Sequence, residues 1–119
     1  MSSSQTSRWV PVPVGLPAPG ESIGFEIEGR ALLVCATDAG FFVLDATCPH
    51  GRVSLEAGAL RGCVLECPLH GGKLDVRTGA PVQPPIRTPA RTYAVRAEGE
   101  KLEFLLLSLI HISEPTRPY

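Results

Sequence analysis

Two short motifs constrain this chain more than anything else in it. They are Cys48-Pro49-His50 and, after sixteen intervening residues, Cys67-Pro68-Leu69-His70. Each pairs one thiol with one imidazole, with Pro after the Cys and Gly after the His. The chain has three histidines, and the third, His111, lies in the last dozen residues. If the pairs act together, the fold must bring two loops to one point. A cluster of two irons bridged by two sulfides needs four protein ligands; thiolates suit the iron that stays ferric, and neutral imidazoles suit the iron that accepts the electron. Cys48, His50, Cys67 and His70 are therefore the candidate metal ligands, and one [2Fe-2S] cluster is the candidate cofactor. Zinc is the competing metal, since two Cys and two His also make a tetrahedral set. Zinc fingers, however, usually draw both thiolates from one loop. Here each loop supplies one of each, so that two loops can grip a binuclear group from opposite sides. Four unrelated buried residues would need both pairs to arise by chance.

A chain of 119 residues makes one domain, and a domain of this size buries roughly 60–70% of its unfolded surface. A bound cluster would add stability, because ligands scattered along an unfolded chain cannot hold it. The net charge of −1 gives no reason to expect a nucleic acid or an anionic membrane as partner. Residues 1–7 read as a polar extension without the apolar core of a secretory signal. No twin-Arg pair and no 18-residue apolar run occurs, so no membrane anchor is expected. Four cysteines, two of them ligand candidates, fit a reducing cytoplasm better than a disulfide scaffold.

Twelve Gly and twelve Pro punctuate short apolar runs. Ile23, Phe25 and Ile27 alternate with small or polar residues, the pattern of a half-buried strand. Glu28-Gly29 closes a tight hairpin into Ala31–Cys35, and Asp38-Ala39-Gly40 turns the chain into Phe41–Leu44. Cys63–Glu66 is a brief strand feeding the second ligand loop. Thr92–Arg96 and Leu102–Leu105 are strands joined by the turn Glu98-Gly99-Glu100. Helical periodicity is confined to a turn near Glu56. Short strands at such spacing predict an all-β sandwich or barrel. Residues 8–46 and 76–106 form the expected β base, with 47–75 as an inserted cluster-binding lobe. Leu107–Arg117 reads as the conceptual translation of a transposase adapter, so residues 107–119 are expected to be a non-native tail without meaning for the fold. A true final strand is the alternative.

Residues 8–106 resemble the Rieske ferredoxins, the electron-transfer components of bacterial aromatic-ring dioxygenases. The ligand motifs carry the resemblance. Trp9-Val10, Gly29–Leu32, Leu55–Gly58, Leu74-Asp75, Thr78-Gly79, Pro84-Pro85 and Tyr93–Val95 support it. The resemblance implies stacked antiparallel sheets with the cluster at one tip. Cys48 and Cys67 would hold the buried ferric iron, and His50 and His70 the outer one, their far ring nitrogens reaching solvent. Leu74 departs from the family's usual Phe. Gly51, Gly71 and Gly72 can let backbone N–H groups face sulfur, against simple loop flexibility, with the sulfur-facing role favoured for Gly71. Pro84-Pro85 would cover the cluster. Cys35 and Cys63 lie in apolar strands and read as core, while Arg52 and Lys73 read as solvated charge.

The function implied is a one-electron shuttle between a flavin-dependent reductase and a terminal oxygenase, through transient contacts. It is a component of an oxidoreductase system rather than a bond-breaking enzyme, for both core histidines are ligands. Two rivals stand beside it: a small Rieske-like subunit of an assimilatory nitrite reductase, and the N-terminal domain of a longer oxygenase or flavoprotein. A low potential is expected. High-potential relatives carry a Cys in each ligand loop, where Val53 and Leu69 stand here, and place hydroxyl donors at the positions of Gly72 and Leu74.

Overall fold

A computed structural model describes residues 5–48, 54–68, 71–98 and 101–109. Among them the chain is all-β, as the turn spacing predicts, with eleven strands and a single 3-10 turn. The strands are β1 (Gln5–Pro11), β2 (Ser22–Ile27), β3 (Arg30–Thr37), β4 (Gly40–Asp45), β5 (Ala59–Arg61) and β6 (Val64–Glu66). They continue as β7 (Lys73–Asp75), β8 (Pro81–Gln83), β9 (Thr92–Tyr93), β10 (Val95–Glu98) and β11 (Lys101–Leu109). Three antiparallel sheets result, ordered β1-β11-β10, β2-β3-β4-β9 and β5-β6-β7-β8.

The β2-β3-β4-β9 sheet lies between two cores. β3 alternates its side chains between them: Leu33 and Cys35 enter one, Leu32 and Val34 the other. A strand buried on both faces needs an unbroken apolar run rather than polar alternation, which is why Ala31–Cys35 reads as it does. The first core adds Leu44 and Ala46, and from the third sheet Leu65 and Leu74. The second adds Val10, Leu102, Phe104 and Leu106 from the β1-β11-β10 sheet. Phe104 sits at its centre, 5.6 Å from the Phe25 ring and edge-on to Tyr93 at 6.1 Å. Burying each such side chain contributes about 1.5–3 kcal/mol.

Local chemistry sets the turns. Glu28 and Gly29 both take positive φ, 52° and 80°, as a two-residue hairpin loop with the strands' right-handed twist requires. The turn near Glu56 is the 3-10 turn Leu55–Ala57, capped by the Ser54 side chain, which accepts from the Glu56 N–H at 3.1 Å.

Three features differ from the sequence reading. The predicted strand Thr92–Arg96 breaks at Ala94, so that β9 joins the central sheet and β10 the outer one. The Ala94 carbonyl accepts from Leu105 N–H at 2.9 Å across the crossing. The third sheet runs on to Gln83, past residue 75. β1 starts at Gln5 and pairs with Leu109, so backbone pairing runs through residues 5–7 and 107–109. Residues 110–119 lie outside those described.

Candidate metal centre

The first ligand loop leaves the end of β4. Ala46 N–H donates to the Ala31 carbonyl and Leu55 N–H to the Ala46 carbonyl, at 3.0 and 2.6 Å. An isolated antiparallel bridge between Thr47 and Ser54 then closes the neck. Cys48 emerges there, 1% exposed.

The second loop is the tip of the β6-β7 hairpin. Glu66 pairs with Lys73, and inside that rung the Cys67 N–H donates to the Gly72 carbonyl at 2.6 Å. Cys67 is 2% exposed. Both cysteines belong to one buried apolar cluster, with Leu33, Leu55, Leu65, Leu74 and Ile86 around them. The fold therefore buries Cys48 and Cys67 in the same core cluster. His50 and His70 lie outside the described residues, as do Gly51 and Arg52.

The two glycines of the second loop have distinct reasons to be glycine. Gly71 has φ of +74°, a conformation side chains disfavour. Its N–H donates to the Cys67 carbonyl at 3.2 Å, which closes the loop on itself. Gly72 is a close approach: a Cβ there would stand 2.8 Å from Ile86 Cγ1 and 3.2 Å from the Ile86 nitrogen. The segment after Pro84-Pro85 thus lies directly against the second loop.

Two contributors escaped the sequence reading. Gln83 Nε2 donates to the Gly71 carbonyl at 3.1 Å, one residue after His70. Gly58 meets the β6 strand so closely that a Cβ would fall 2.3 Å from the Glu66 carbonyl oxygen. No pattern signals either, because each depends on a neighbour brought up by the chain's return.

The other thiols behave as core residues. Cys35 is fully buried, and burial pushes its pKa from 9.0 up to about 12. Cys63 is half-buried against the same cluster. Beneath the second loop, Asp75 receives Arg77 Nη2 at 2.8 Å, and this hydrogen bond holds its carboxyl below the usual range. Lys73 lines a shallow groove with Arg61, Val64, Glu66 and Val82.

The donor set suits a binuclear iron cluster. Two thiols are shielded from water in an apolar cluster, on separate loops, with a backbone face at Gly72 that tolerates no side chain. Among the described residues no three potential ligands converge, which leaves a described pair of thiols and two histidines placed by sequence alone. No helix among the described residues is long and apolar enough to cross a membrane.

The sequence family described as the Rieske [2Fe-2S] domain matches residues 9–94. The ferredoxin component of a naphthalene 1,2-dioxygenase system from Pseudomonas aeruginosa is 32% identical over 98 residues, 82% of this chain and 94% of its own. A chain from a complex of reduced oxygenase and oxidised ferredoxin in carbazole 1,9a-dioxygenase superposes with a TM-score of 0.75. It is 31% identical over 81% of this chain and 91% of its own length. A protein described as an NADH-dependent nitrite reductase small subunit from Mycobacterium tuberculosis reaches a TM-score of 0.73 over 87% of this chain and 99% of its own. At 14% identity that likeness is one of fold alone.

Proposed function

Because the chain belongs to the Rieske [2Fe-2S] domain family, we propose that it is a one-electron carrier, taking electrons from a flavin-dependent reductase and passing them to a terminal oxygenase. What supports this reading is that Cys48 and Cys67, on two separate loops, both lie in one buried core cluster. The sequence similarity to a dioxygenase ferredoxin component gives it direction. Cys48 and Cys67 would hold one iron of the cluster, and His50 and His70 the other. When bound, the cluster supplies a couple that takes up and releases one electron. The residues around it hold and shield it. Leu55, Leu65, Leu74 and Ile86 keep water from the thiolates, and the Thr47–Ser54 bridge and the Cys67–Gly72 hydrogen bond fix the two loop necks. Partner contact is small and brief, below ~1,200 Å² in total, as suits redox encounters. The working unit is residues 8–106 with the paired strand ends beyond them, residues 5–7 and 107–109, and the setting is the cytoplasm.

Reduced protein should give a Rieske-type EPR spectrum with two irons and two acid-labile sulfides per chain. His50→Ala or His70→Ala should abolish that spectrum. The oxidised protein should also accept electrons from the NADH-dependent reductase of a naphthalene dioxygenase system. A colourless, folded protein carrying one zinc would overturn the reading.

A further inference from the structure

Asp45 is the last residue of β4, and Cys48 follows three positions later. Beyond Asp45 the sheet gives out, and the path toward the ligand loop rests on separate backbone bonds. Asp45 N–H donates to the Arg91 carbonyl at 2.9 Å, and Ala46 N–H to the Ala31 carbonyl at 3.0 Å. One side-chain bond reinforces this root: the Tyr93 hydroxyl donates to Asp45 Oδ1 at 2.6 Å. Strand register explains the reach. Tyr93 on β9 pairs with Val43, two residues before Asp45 and on the same face, and such diagonal neighbours meet when one of them is aromatic. The Arg30 guanidinium stands beside the same hydroxyl. It comes from β3, on the other flank of β4, where Leu32 pairs with Asp45.

Tyr93 is itself held from elsewhere. It is 8% exposed, and its ring packs edge-on to Phe104 at 6.1 Å in the second core. The ring is therefore fixed in one core, while the hydroxyl grips the root of a loop that leads into the other, where Cys48 is buried. A hydroxyl bonded to a carboxylate at ~2.5–2.7 Å is charge-assisted and stronger than a neutral pair. Asp45 is half-buried, so without this donor its carboxylate bears a desolvation cost left uncompensated. The stretch from Asp45 to Cys48 is the first to feel that loss. Resting on the carrier reading above, we propose that Tyr93 is a positioning residue for the metal centre. Its hydroxyl, acting through Asp45, fixes the backbone that delivers Cys48.

Tyr93→Phe keeps the ring and removes the donor. In the protein as purified, hydrogen exchange read by mass spectrometry should quicken severalfold in the peptides that carry Ala46 and Leu55. It should stay at the wild-type rate in those that carry Cys67 and Gly71. With the cluster loaded, EDTA should strip it severalfold faster, and the EPR features of the reduced cluster should broaden. Val10→Ala, in the second core, is the comparison: it loosens the fold without touching the root. At equal distance below the melting temperature, its stripping rate and line shape should match wild type. Asp45→Ala, which removes the acceptor, should repeat the Tyr93→Phe result and stands in for it if that variant does not fold. Exchange that is unchanged at Ala46 and Leu55, or raised equally in both loops, overturns the assignment. So does a Tyr93→Phe protein that strips and broadens no more than Val10→Ala. Wild type without a Rieske spectrum, or unable to take electrons from the naphthalene-system reductase, strikes the carrier reading, and the exchange arm still judges Tyr93.

Discussion

Gly72 and Cys35 show how differently two residues of one core are constrained. At Gly72 the constraint is space. Gly72→Ala pushes a methyl into Ile86, whose backbone nitrogen cannot retreat without moving the segment after Pro85. Overpacking of this kind costs about 1–3 kcal/mol, and the cluster should bleach severalfold faster on warming, as followed by visible absorbance. At Cys35 the constraint is solvation. Its pKa of about 12 means that the folded chain keeps this proton across pH 9–12, where the unfolded chain loses it. Stability therefore falls as pH rises through that window. At pH 8 iodoacetamide should spare Cys35 in the native protein and modify it only on unfolding; labelling at the rate of a free thiol would contradict the burial. Cys48 and Cys67 were legible as candidate ligands because their signal is local, a motif three or four residues long. The reason for Gly72 was not, since its neighbour arrives fourteen positions later.

Elements were legible where their burial pattern is uniform. β3 announced itself through an apolar run that serves two faces, and the β2-β3 hairpin through Glu28-Gly29. The break between β9 and β10 left no mark, because Thr92–Arg96 alternates well enough for one strand; only packing against two different sheets divides it. β8 was equally silent. Its residues Pro81, Val82 and Gln83 are all exposed, so no apolar periodicity betrays it, yet Gln83 ties the strand to the second ligand loop. A neutral hydrogen bond of this kind contributes ~0.5–1.5 kcal/mol. Gln83→Leu should accordingly lower the melting temperature by a few degrees and speed cluster release, with Gln83→Asn recovering little because its amide falls short of the Gly71 carbonyl. Unchanged release kinetics in Gln83→Leu would show that the tether holds nothing.

For the molecule as a whole, the expected property is a low reduction potential, near the −150 mV end of the Rieske range. The positions that carry hydroxyl donors in high-potential relatives are filled by Gly72 and by Leu74, which is fully buried. Neither side chain donates a hydrogen bond to stabilise the reduced state. A dye-mediated titration at pH 7 checks this, and a midpoint above about +100 mV would contradict it.

The double-faced β3 has a consequence for the life of the protein in a cell. With Leu33 facing the ligand loops and Leu32 the opposite core, neither half can loosen without exposing the other. Whatever binds the folded form alone draws the entire equilibrium toward it. Iron supply should then govern not only how much of this protein works but how much of it survives, because chains made without metal would spend more time open to proteases. A pulse-chase under iron starvation should show a shortened half-life, and Leu33→Ala, which weakens the shared wall by ~2–5 kcal/mol, should shorten it even when iron is plentiful. The chain would thus clear itself away when the metal that gives it purpose runs out.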